Sequence, residues 1–350
     1  MRFAIAAALA ALLAASAAQA FPGGSNAVKD WAGVCDNTGK CTAMGFTPDD
    51  GSTVGYLRIV RAAGPDATPK VDIAFDPGDP QPAQTWTLAV DHKPVAGIGP
   101  LKAPKGDDGA RVALTDAQSA ALLAVIKDGT GLELMKGAHT VSTILLGGSA
   151  AVLLWVDVYQ GRVGTVTALI RKGTGPASAV PPAAAPPRIV AAAAVDQAGV
   201  PEHAPRTLLT GDSDCDLDTS DPSTPPDDTV ARLAPGVMLW GPECMMGAYN
   251  EVTQFFLGDE HAGHVHKVVL PEPPGLGDDP EHTGLLINAG FDAPTMTLSS
   301  FDKGRGIGDC GSTTDWVWDG KAFQLAAQTL MPLCRGVVGD DWPATWVTTK

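Results

Sequence analysis

The chain has 350 residues, 45% of them hydrophobic, and a formal net charge of −15 at pH 7. A chain of this length exceeds what one hydrophobic core usually serves, so we expect two domains. The acidic balance disfavours nucleic acid and anionic membranes as partners, because both require a basic surface, and it permits a cationic partner.

Residues 1–20 have the parts of a secretory signal peptide. Arg2 comes first, residues 3–15 are apolar, and Ala18-Gln19-Ala20 forms a processing site. A membrane anchor is the alternative, but the apolar run is shorter than the roughly 20 residues that span a bilayer. No later stretch is long and apolar enough to span. We therefore expect a periplasmic or secreted protein with no membrane span after removal of the signal.

Residues 21–173 are predicted to form an N-terminal β-rich domain with two helices. Thr115 and Gln118 make a capping box, so the first helix begins there. The second helix covers residues 149–160, whose middle is apolar nearly all round and should be buried. Residues 165–170 are predicted to form a strand.

Residues 174–205 are rich in Ala and Pro without periodicity, which is typical of a linker. Residues 206–350 follow as a predicted all-β domain with short strand-like runs and a Trp-rich closing motif. In that motif Asp319-Gly320 separates two alternating runs, a strong signal for a β-hairpin. The predicted fold is therefore mainly β, a β-rich α+β protein whose C-terminal domain is an antiparallel sandwich or barrel.

All six cysteines lie after the signal, an even number that predicts three disulfides in an oxidising compartment. The nearest-neighbour scheme pairs Cys35 with Cys41, Cys215 with Cys244, and Cys310 with Cys334, although about 15 pairings are possible. Zinc binding by these cysteines is disfavoured because no two of them have C-x-x-C spacing.

Several motifs together resemble a known family of bacterial envelope proteins, defined by domain of unknown function 1176. They are Lys29-Asp30-Trp31, Cys35-Asp36-Asn37, Cys41-Thr42-Ala43, and a closing motif that runs from Gly304-Arg305-Gly306 to Asp341-Trp342-Pro343. The resemblance implies a secreted, six-cysteine, two-part protein and carries over no activity, substrate or catalytic residue. The N-terminal half is also loosely similar to the invasion-associated locus B family, through its Trp-Cys-Cys opening and Gln160-Gly161-Arg162. That similarity implies an envelope or host-contact role.

Two clusters contain possible metal ligands. His261, His264 and His266 could bind Zn²⁺ or Cu²⁺ through imidazole nitrogens, and the alternative is an exposed loop and strand edge. The acidic residues around Cys215 could offer oxygens to Ca²⁺, but their spacing is not that of an EF-hand and a solvated loop explains them as well. These acidic residues are Asp212, Asp214, Asp216, Asp218 and Asp221.

Four residues of the closing motif are candidate ligand-binding residues. Arg305 and Asp309 lie in a glycine-rich run that could bind an anion or a peptide carboxylate, or whose glycines could instead shape a tight strand-to-strand corner where Arg305 pairs with a nearby carboxylate. Trp316 and Trp318 share one face of their strand, where tryptophans can stack on a sugar but more often belong to a core.

No Gly-x-Ser-x-Gly motif, unpaired cysteine or marked carboxylate pair indicates a catalytic set. The sequence therefore favours a non-catalytic binding or interaction module, one form of which would recognise a cationic protein or peptide. The alternatives are a periplasmic hydrolase that uses carboxylates or the histidine cluster, and a divalent-metal-binding envelope protein. No cofactor other than such a metal is expected.

Overall fold

The computed structural model describes residues 21–50, 54–76, 84–103, 110–210, 215, 227–274 and 284–349. Antiparallel strands form several sheets, and the two α-helices of this part of the chain lie in the N-terminal half. The predicted mainly β fold class is confirmed. No helix of the described ranges is long and apolar enough to cross a membrane. The signal peptide predicted for residues 1–20 lies outside these ranges and stays a prediction.

The N-terminal half contributes two sheets. Its elements are β1 (Gly24–Val28), β2 (Trp31–Cys35), β3 (Cys41–Phe46), β4 (Val54–Arg61), β5 (Lys70–Asp76), β6 (Gln84–Val90), β7 (Lys93–Pro94), β8 (Leu101–Ala103), β9 (Ala110–Ala113), α1 (Asp116–Ile126), β10 (Gly131–Lys136), β11 (His139–Leu145) and α2 (Ser149–Tyr159). The first sheet has the order β1-β2-β3-β4-β5-β9, and the second has the order β11-β10-β6-β7 with β8 paired to β6. Both sheets contribute to one core, which includes Trp31, Leu57, Ile73 and Trp86.

Helix α1 begins at the predicted capping box. The Thr115 hydroxyl accepts a hydrogen bond from the Gln118 N–H at 3.3 Å, and the Gln118 side chain accepts one from the Thr115 N–H at 2.9 Å. Helix α2 packs on the first sheet at Gly33. A Cβ there would lie 2.9 Å from Val152 and 3.0 Å from Trp155, so only glycine permits this close approach.

The predicted strand at residues 165–170 is wrong, because these residues form turns and bends. The reason is the fully buried carboxylate of Asp157 on α2. It accepts hydrogen bonds from the backbone N–H groups of Leu169 at 2.7 Å and Ile170 at 2.8 Å. A buried carboxylate needs such donors, and these amides are therefore bonded to a side chain rather than to a neighbouring strand.

The C-terminal half contributes three sheets, each an open run of antiparallel strands. Its strands are β12 (Thr229–Ala234), β13 (Val237–Gly241), β14 (Glu243–Met246), β15 (Glu251–Gln254), β16 (Phe256–Gly258), β17 (His266–Lys267), β18 (Leu285–Ile287), β19 (Gly290–Asp292), β20 (Thr297–Lys303), β21 (Gly311–Trp318), β22 (Phe323–Met331) and β23 (Ala344–Trp346). The sheet orders are β12-β13-β16-β17, β14-β15-β18 and β19-β20-β21-β22-β23. The predicted hairpin at Asp319-Gly320 is confirmed as β21–β22.

The structure forms three disulfides, which join the nearest neighbours along the chain. They are Cys35–Cys41, Cys215–Cys244 and Cys310–Cys334. The first links β2 to β3, and the third joins the start of the β21–β22 hairpin to its end. Each bond closes a short loop and restricts the unfolded chain.

Polar contacts join the two halves directly. Asp341 accepts hydrogen bonds from the Tyr56 hydroxyl, from Arg58 at 2.8 Å and from Arg111. Asp72 pairs with the same two guanidinium groups, at 3.0 Å and 2.6 Å. Burial raises the pKa of the Tyr56 hydroxyl, and its hydrogen bond to Asp341 raises it further.

An apolar cluster with members from both halves lies beside this network. It contains Ala32, Met44, Phe46, Tyr56 and Ala74 from the first sheet, with Cys310, Met331, Val337 and Trp342 from the C-terminal half. The two halves therefore share a buried contact. The division into domains at residues 174–205 stays a prediction.

Candidate functional site

The three histidines proposed as metal ligands are exposed and lie at and just after a tight turn. Asp259 shapes this turn, because its carboxylate accepts hydrogen bonds from the N–H groups of His261 at 2.9 Å and Gly263 at 2.8 Å. These backbone hydrogen bonds lower the pKa of Asp259. The turn therefore has a structural explanation in Asp259, while metal binding by His261, His264 and His266 stays a prediction.

Within the described ranges, one group of at least three possible ligand residues has its ligand atoms within 4.8 Å of one another. It consists of Asp309, Cys310 and Cys334 and does not include the histidines. Both cysteines are in a disulfide, so neither offers a thiolate to a metal. The five aspartates proposed as calcium ligands, Asp212, Asp214, Asp216, Asp218 and Asp221, lie outside the described residues.

Arg305 and Asp309 pair with each other. The guanidinium donates to the two Asp309 oxygens at 2.7 Å and 2.6 Å, and it also contacts Asp49 of the N-terminal half at 3.2 Å. Burial alone would raise the pKa of Asp309, but Arg305 and the Gly336 N–H outweigh it and lower that pKa. The pair holds the glycine-rich corner, and a role in ligand binding stays a prediction.

Trp316 and Trp318 belong to the core of the C-terminal half, where both are buried. The indole N–H of Trp316 donates to the Pro271 carbonyl at 2.8 Å. Neither ring is presented to solvent as a flat stacking surface. Their burial does not favour sugar stacking, which stays a prediction.

Strands β14 and β15 and the loop after β20 together build a surface that no sequence motif marks. Its members are Met246, Tyr249 and Ile307, and we call it the hairpin patch; Met245 lies opposite Val252, on the other face of the hairpin. Met246 is 57% exposed and Ile307 is 75% exposed. The Tyr249 ring lies 3.5 Å from the Cβ position of Gly306, so the tip of the hairpin and the loop meet there. Exposed apolar clusters of this kind mark interaction sites.

Two asparagines hold the turn of this hairpin in place. The Asn250 side chain donates to the Lys303 carbonyl at 3.2 Å. Asn288 donates to the Asn250 side chain and to the Phe301 carbonyl, both at 2.8 Å. The Gly247 N–H also donates to the Asn250 carbonyl at 2.7 Å and closes the turn. The patch is therefore presented by an anchored hairpin.

A group of carboxylates borders the hairpin patch. Glu251 lies directly opposite Met246 in the strand pairing, and Glu243 lies on the same face beside Thr253. Burial raises the pKa of Glu251 to about 6, and the carboxylates of Asp227 and Glu243 add to this shift. Like charges this close together indicate a strongly negative local potential.

Asp228 is a further carboxylate of this group. It is the one that cationic groups of the described ranges contact. Arg206 donates to it at 2.5 Å, and the His203 ring lies 3.7 Å away. Asp228 in turn accepts a hydrogen bond from the Glu243 N–H at 2.8 Å. No cation of the described chain pairs with Glu251, so its charge remains available to a partner.

Sequence reasoning missed this surface because it arises from strand pairing. The sequence does show two methionines, Met245-Met246, close to an acidic residue in Glu243-Cys244. The opposition of Met246 and Glu251 depends on a register shift between Glu243 and Met245. A β-bulge of this kind changes which residues share a face and is not marked by local sequence.

Comparisons with known proteins identify the family. A model for the family described as "Protein of unknown function (DUF1176)" matches residues 25–349. The chain belongs to this family. It is also 30% identical over 351 residues to the uncharacterized protein YpfG of Escherichia coli strain K12, a match that covers 97% of this chain and 96% of that protein. No solved structure matches the chain. The similarity of the N-terminal half to the invasion-associated locus B family is not shown by these matches and stays a prediction.

Proposed function

We propose that this protein is an extracytoplasmic binding module, without catalytic chemistry of its own, that recognises a cationic amphipathic segment of another protein or peptide. The observation that carries the proposal is the hairpin patch, where exposed apolar side chains adjoin carboxylates on one anchored hairpin. An amphipathic segment with basic residues offers the complementary apolar and cationic faces.

The residue types of the hairpin patch suit this role. Methionine adapts its flexible thioether side chain to irregular partners, and tyrosine offers a large ring with a polar end. Both are enriched at protein interfaces. Pairing of a Lys or Arg with Glu251 would favour the ionised carboxylate, which burial and its neighbours otherwise disfavour.

Three disulfides support placement outside the cytoplasm, where such bonds form and persist. The signal peptide proposed for residues 1–20 would deliver the chain there, to the periplasm or beyond the cell. A host-contact role, as the looser resemblance of the N-terminal half implies, is a narrower form of this proposal.

The test is site-specific photocrosslinking in the native envelope. A photoreactive phenylalanine analogue replaces Met246 or Ile307, and a matched control carries it at Val158, which is exposed in the N-terminal half. We expect the two patch positions to capture the same partner and Val158 not to. The captured partner should carry a basic segment, and Glu243→Gln with Glu251→Gln should reduce its capture several-fold. Raised salt should also reduce capture, because exposed charges are then screened.

Equal capture from Val158, or capture that neither the two Gln substitutions nor salt changes, would contradict the proposal. A synthetic peptide of alternating Leu and Lys residues serves as a defined probe for purified protein. It should bind the wild type more tightly than the doubly substituted variant, and the same peptide with Glu in place of Lys should not bind.

A second candidate function is a periplasmic hydrolase in which Glu251 acts as general acid. The observation that favours it is the pKa of Glu251, about 6, which would keep a proton available near neutral pH. Chromogenic glycosides and peptides would test it. Activity with a pH limb near the Glu251 pKa that Glu251→Gln abolishes would support the hydrolase. Activity that Glu251→Gln leaves unchanged would exclude this role for Glu251.

A further inference from the structure

A groove lies on the C-terminal half and shares no residue with the hairpin patch. It encloses about 560 Å³, within the range of roughly 300–1,000 Å³ that is typical of small-ligand sites. One wall is an extended segment, residues 188–192, and the floor is the sheet face opposite to the buried tryptophans. A smaller space shares Arg188, Ile189 and Val190 with this groove and is also lined by Asp319 and Gln324.

The floor is built from small side chains. Thr297 of β20 lies opposite Val317 of β21, and Asp315 lies opposite Ala327 of β22. The register shifts between Asp315 and the next residue, which makes Ala326 an extra residue of β22 at this point. This bulge places two alanines beside one carboxylate and leaves room above the sheet.

The extended segment 188–192 is fixed at both ends. The Ile189 N–H donates to the Thr349 carbonyl at 2.9 Å, and the Ala192 N–H donates to the Trp318 carbonyl at 2.8 Å. Val190 and Ala191 lie between these two points. Their backbone N–H groups make no hydrogen bond to any described part of the chain. The segment thus presents free backbone donors beside the groove, as an edge strand does.

The groove also has charges of both signs. Arg188 is exposed, and no carboxylate of the described ranges pairs with it. Asp315 uses one carboxylate oxygen to accept a hydrogen bond from Ser299 at 2.6 Å, and its other oxygen has no donor among the described residues. A cation and a carboxylate oxygen are therefore both available to a ligand.

We propose that this groove binds a short extended peptide that has a free C-terminal carboxylate. Arg188 pairs with that carboxylate, one of the two free N–H groups at Val190 and Ala191 donates to a peptide carbonyl oxygen, and Asp315 accepts from a peptide ammonium or amide group. Unpaired strand edges bind peptides in this way, and arginine suits a carboxylate because its fork of donors matches the two oxygens. The alanines of the floor favour small peptide side chains.

The test uses tri-L-alanine as the probe and the full chain with ¹³C-labelled alanine methyl groups. We expect saturable shifts at Ala191, Ala326 and Ala327, and none at Ala32, which is buried in the N-terminal half. Amidation of the probe's C-terminus should weaken binding about 10-fold, as expected for loss of a charge-assisted hydrogen bond. Arg188→Gln should weaken binding of the unmodified probe by a similar factor. This variant should bind the amidated and unmodified probes with equal affinity.

The matched control is Arg171→Gln, another exposed arginine, which should bind tri-L-alanine as the wild type does. The proposal is overturned if tri-L-alanine causes no saturable shift, or if a neutral trisaccharide of similar size shifts the groove methyls and the peptide does not. It is also overturned if amidation and Arg188→Gln leave the affinity unchanged. The amidated probe needs no substitution, so this outcome does not depend on how a variant folds.

Discussion

The N-terminal and C-terminal halves each contain a cluster of like charges. The cluster of the N-terminal half is buried, and that of the C-terminal half lies at the surface. In the N-terminal half, Arg61 and Arg162 are both buried, with Asp157 as a nearby carboxylate at 3.7 Å from Arg61. Burial, together with the neighbouring Arg162, lowers the pKa of Arg61 to about 10. In the C-terminal half, the carboxylates around Glu251 lie at a surface beside exposed apolar side chains.

The two clusters differ in how their charges are satisfied. Arg162 donates to the carbonyls of Ala62 at 3.2 Å and Gly64 at 2.7 Å and to the Gln160 side chain at 2.8 Å. All three guanidinium nitrogens of this buried cation donate within the protein, so the cation is not presented to a ligand. Glu251 receives one long side-chain contact, from Thr253 at 3.4 Å. Shifted pKa values alone therefore do not identify a binding site, since both clusters have them.

Removal of the buried cation of Arg162 should cause the largest loss of stability. Arg162→Met retains much of the side-chain volume but leaves the two carbonyls and the Gln160 side chain without their donor. We expect a loss of about 3–5 kcal/mol in the free energy of unfolding, because unsatisfied buried acceptors are costly. Urea denaturation measures it. The exposed Arg171→Met should stay within about 0.5 kcal/mol of the wild type. Equal stability of the two variants would show that Arg162 is not structural.

The features that the sequence predicted well depend on neighbouring residues. The capping box at Thr115, the hairpin at Asp319-Gly320 and the short disulfide loops are all signals within a few tens of residues. The features that it missed depend on distant ones. Residues 165–170 follow α2 in an apolar run, and hydrogen bonds to the buried Asp157 and Arg61 side chains hold them in a loop. Sequence patterns report periodicity and do not report which side chain an amide will meet.

The candidate site shows the same limit. The histidines and the closing motif are conspicuous in the chain, but the histidines lie at and just after a turn and the tryptophans lie in a core. The hairpin patch depends on the pairing of Met246 with Glu251, and the peptide groove depends on the return of residues 188–192 to the last sheet. Both are tertiary arrangements, which no motif marks.

A third charged cluster, at the contact between the halves, contains charges of both signs. Asp341→Asn removes the charge that Arg58, Arg111 and Tyr56 share. We expect a loss of about 1–3 kcal/mol in the free energy of unfolding, less than for Arg162, because these groups are partly exposed. The neighbouring Asp340→Asn is a matched control, since Asp340 is exposed and should change stability little. An Asp341→Asn variant as stable as this control would mean that the network does not join the halves energetically.

Glu251→Gln should change the free energy of unfolding least, and it should raise it at pH 7 where the other two substitutions lower it. The pKa of Glu251 is about 6 in the folded protein, above the ordinary value of 4.5 for a glutamate side chain, so the folded state disfavours the charged form. This contribution to stability is present below about pH 4.5 and is lost as pH rises through about 6. Glu251→Gln stays neutral and escapes that loss. It should therefore be more stable than the wild type at pH 7 by about 1 kcal/mol, after allowance for solvent screening, and equal to it near pH 4.

Urea denaturation between pH 4 and pH 7 measures this difference, with the exposed Glu202→Gln as the control that should follow the wild type. A Glu251→Gln variant with an unchanged pH dependence would mean that the carboxylate is not under electrostatic stress. The stabilised variant is also the one expected to capture the cationic partner poorly. A substitution that raises stability and lowers binding is the expected behaviour of a residue retained for function, because natural binding surfaces keep charges that the isolated fold would be more stable without. Arg162, whose loss should lower stability without directly altering the patch, is the opposite case.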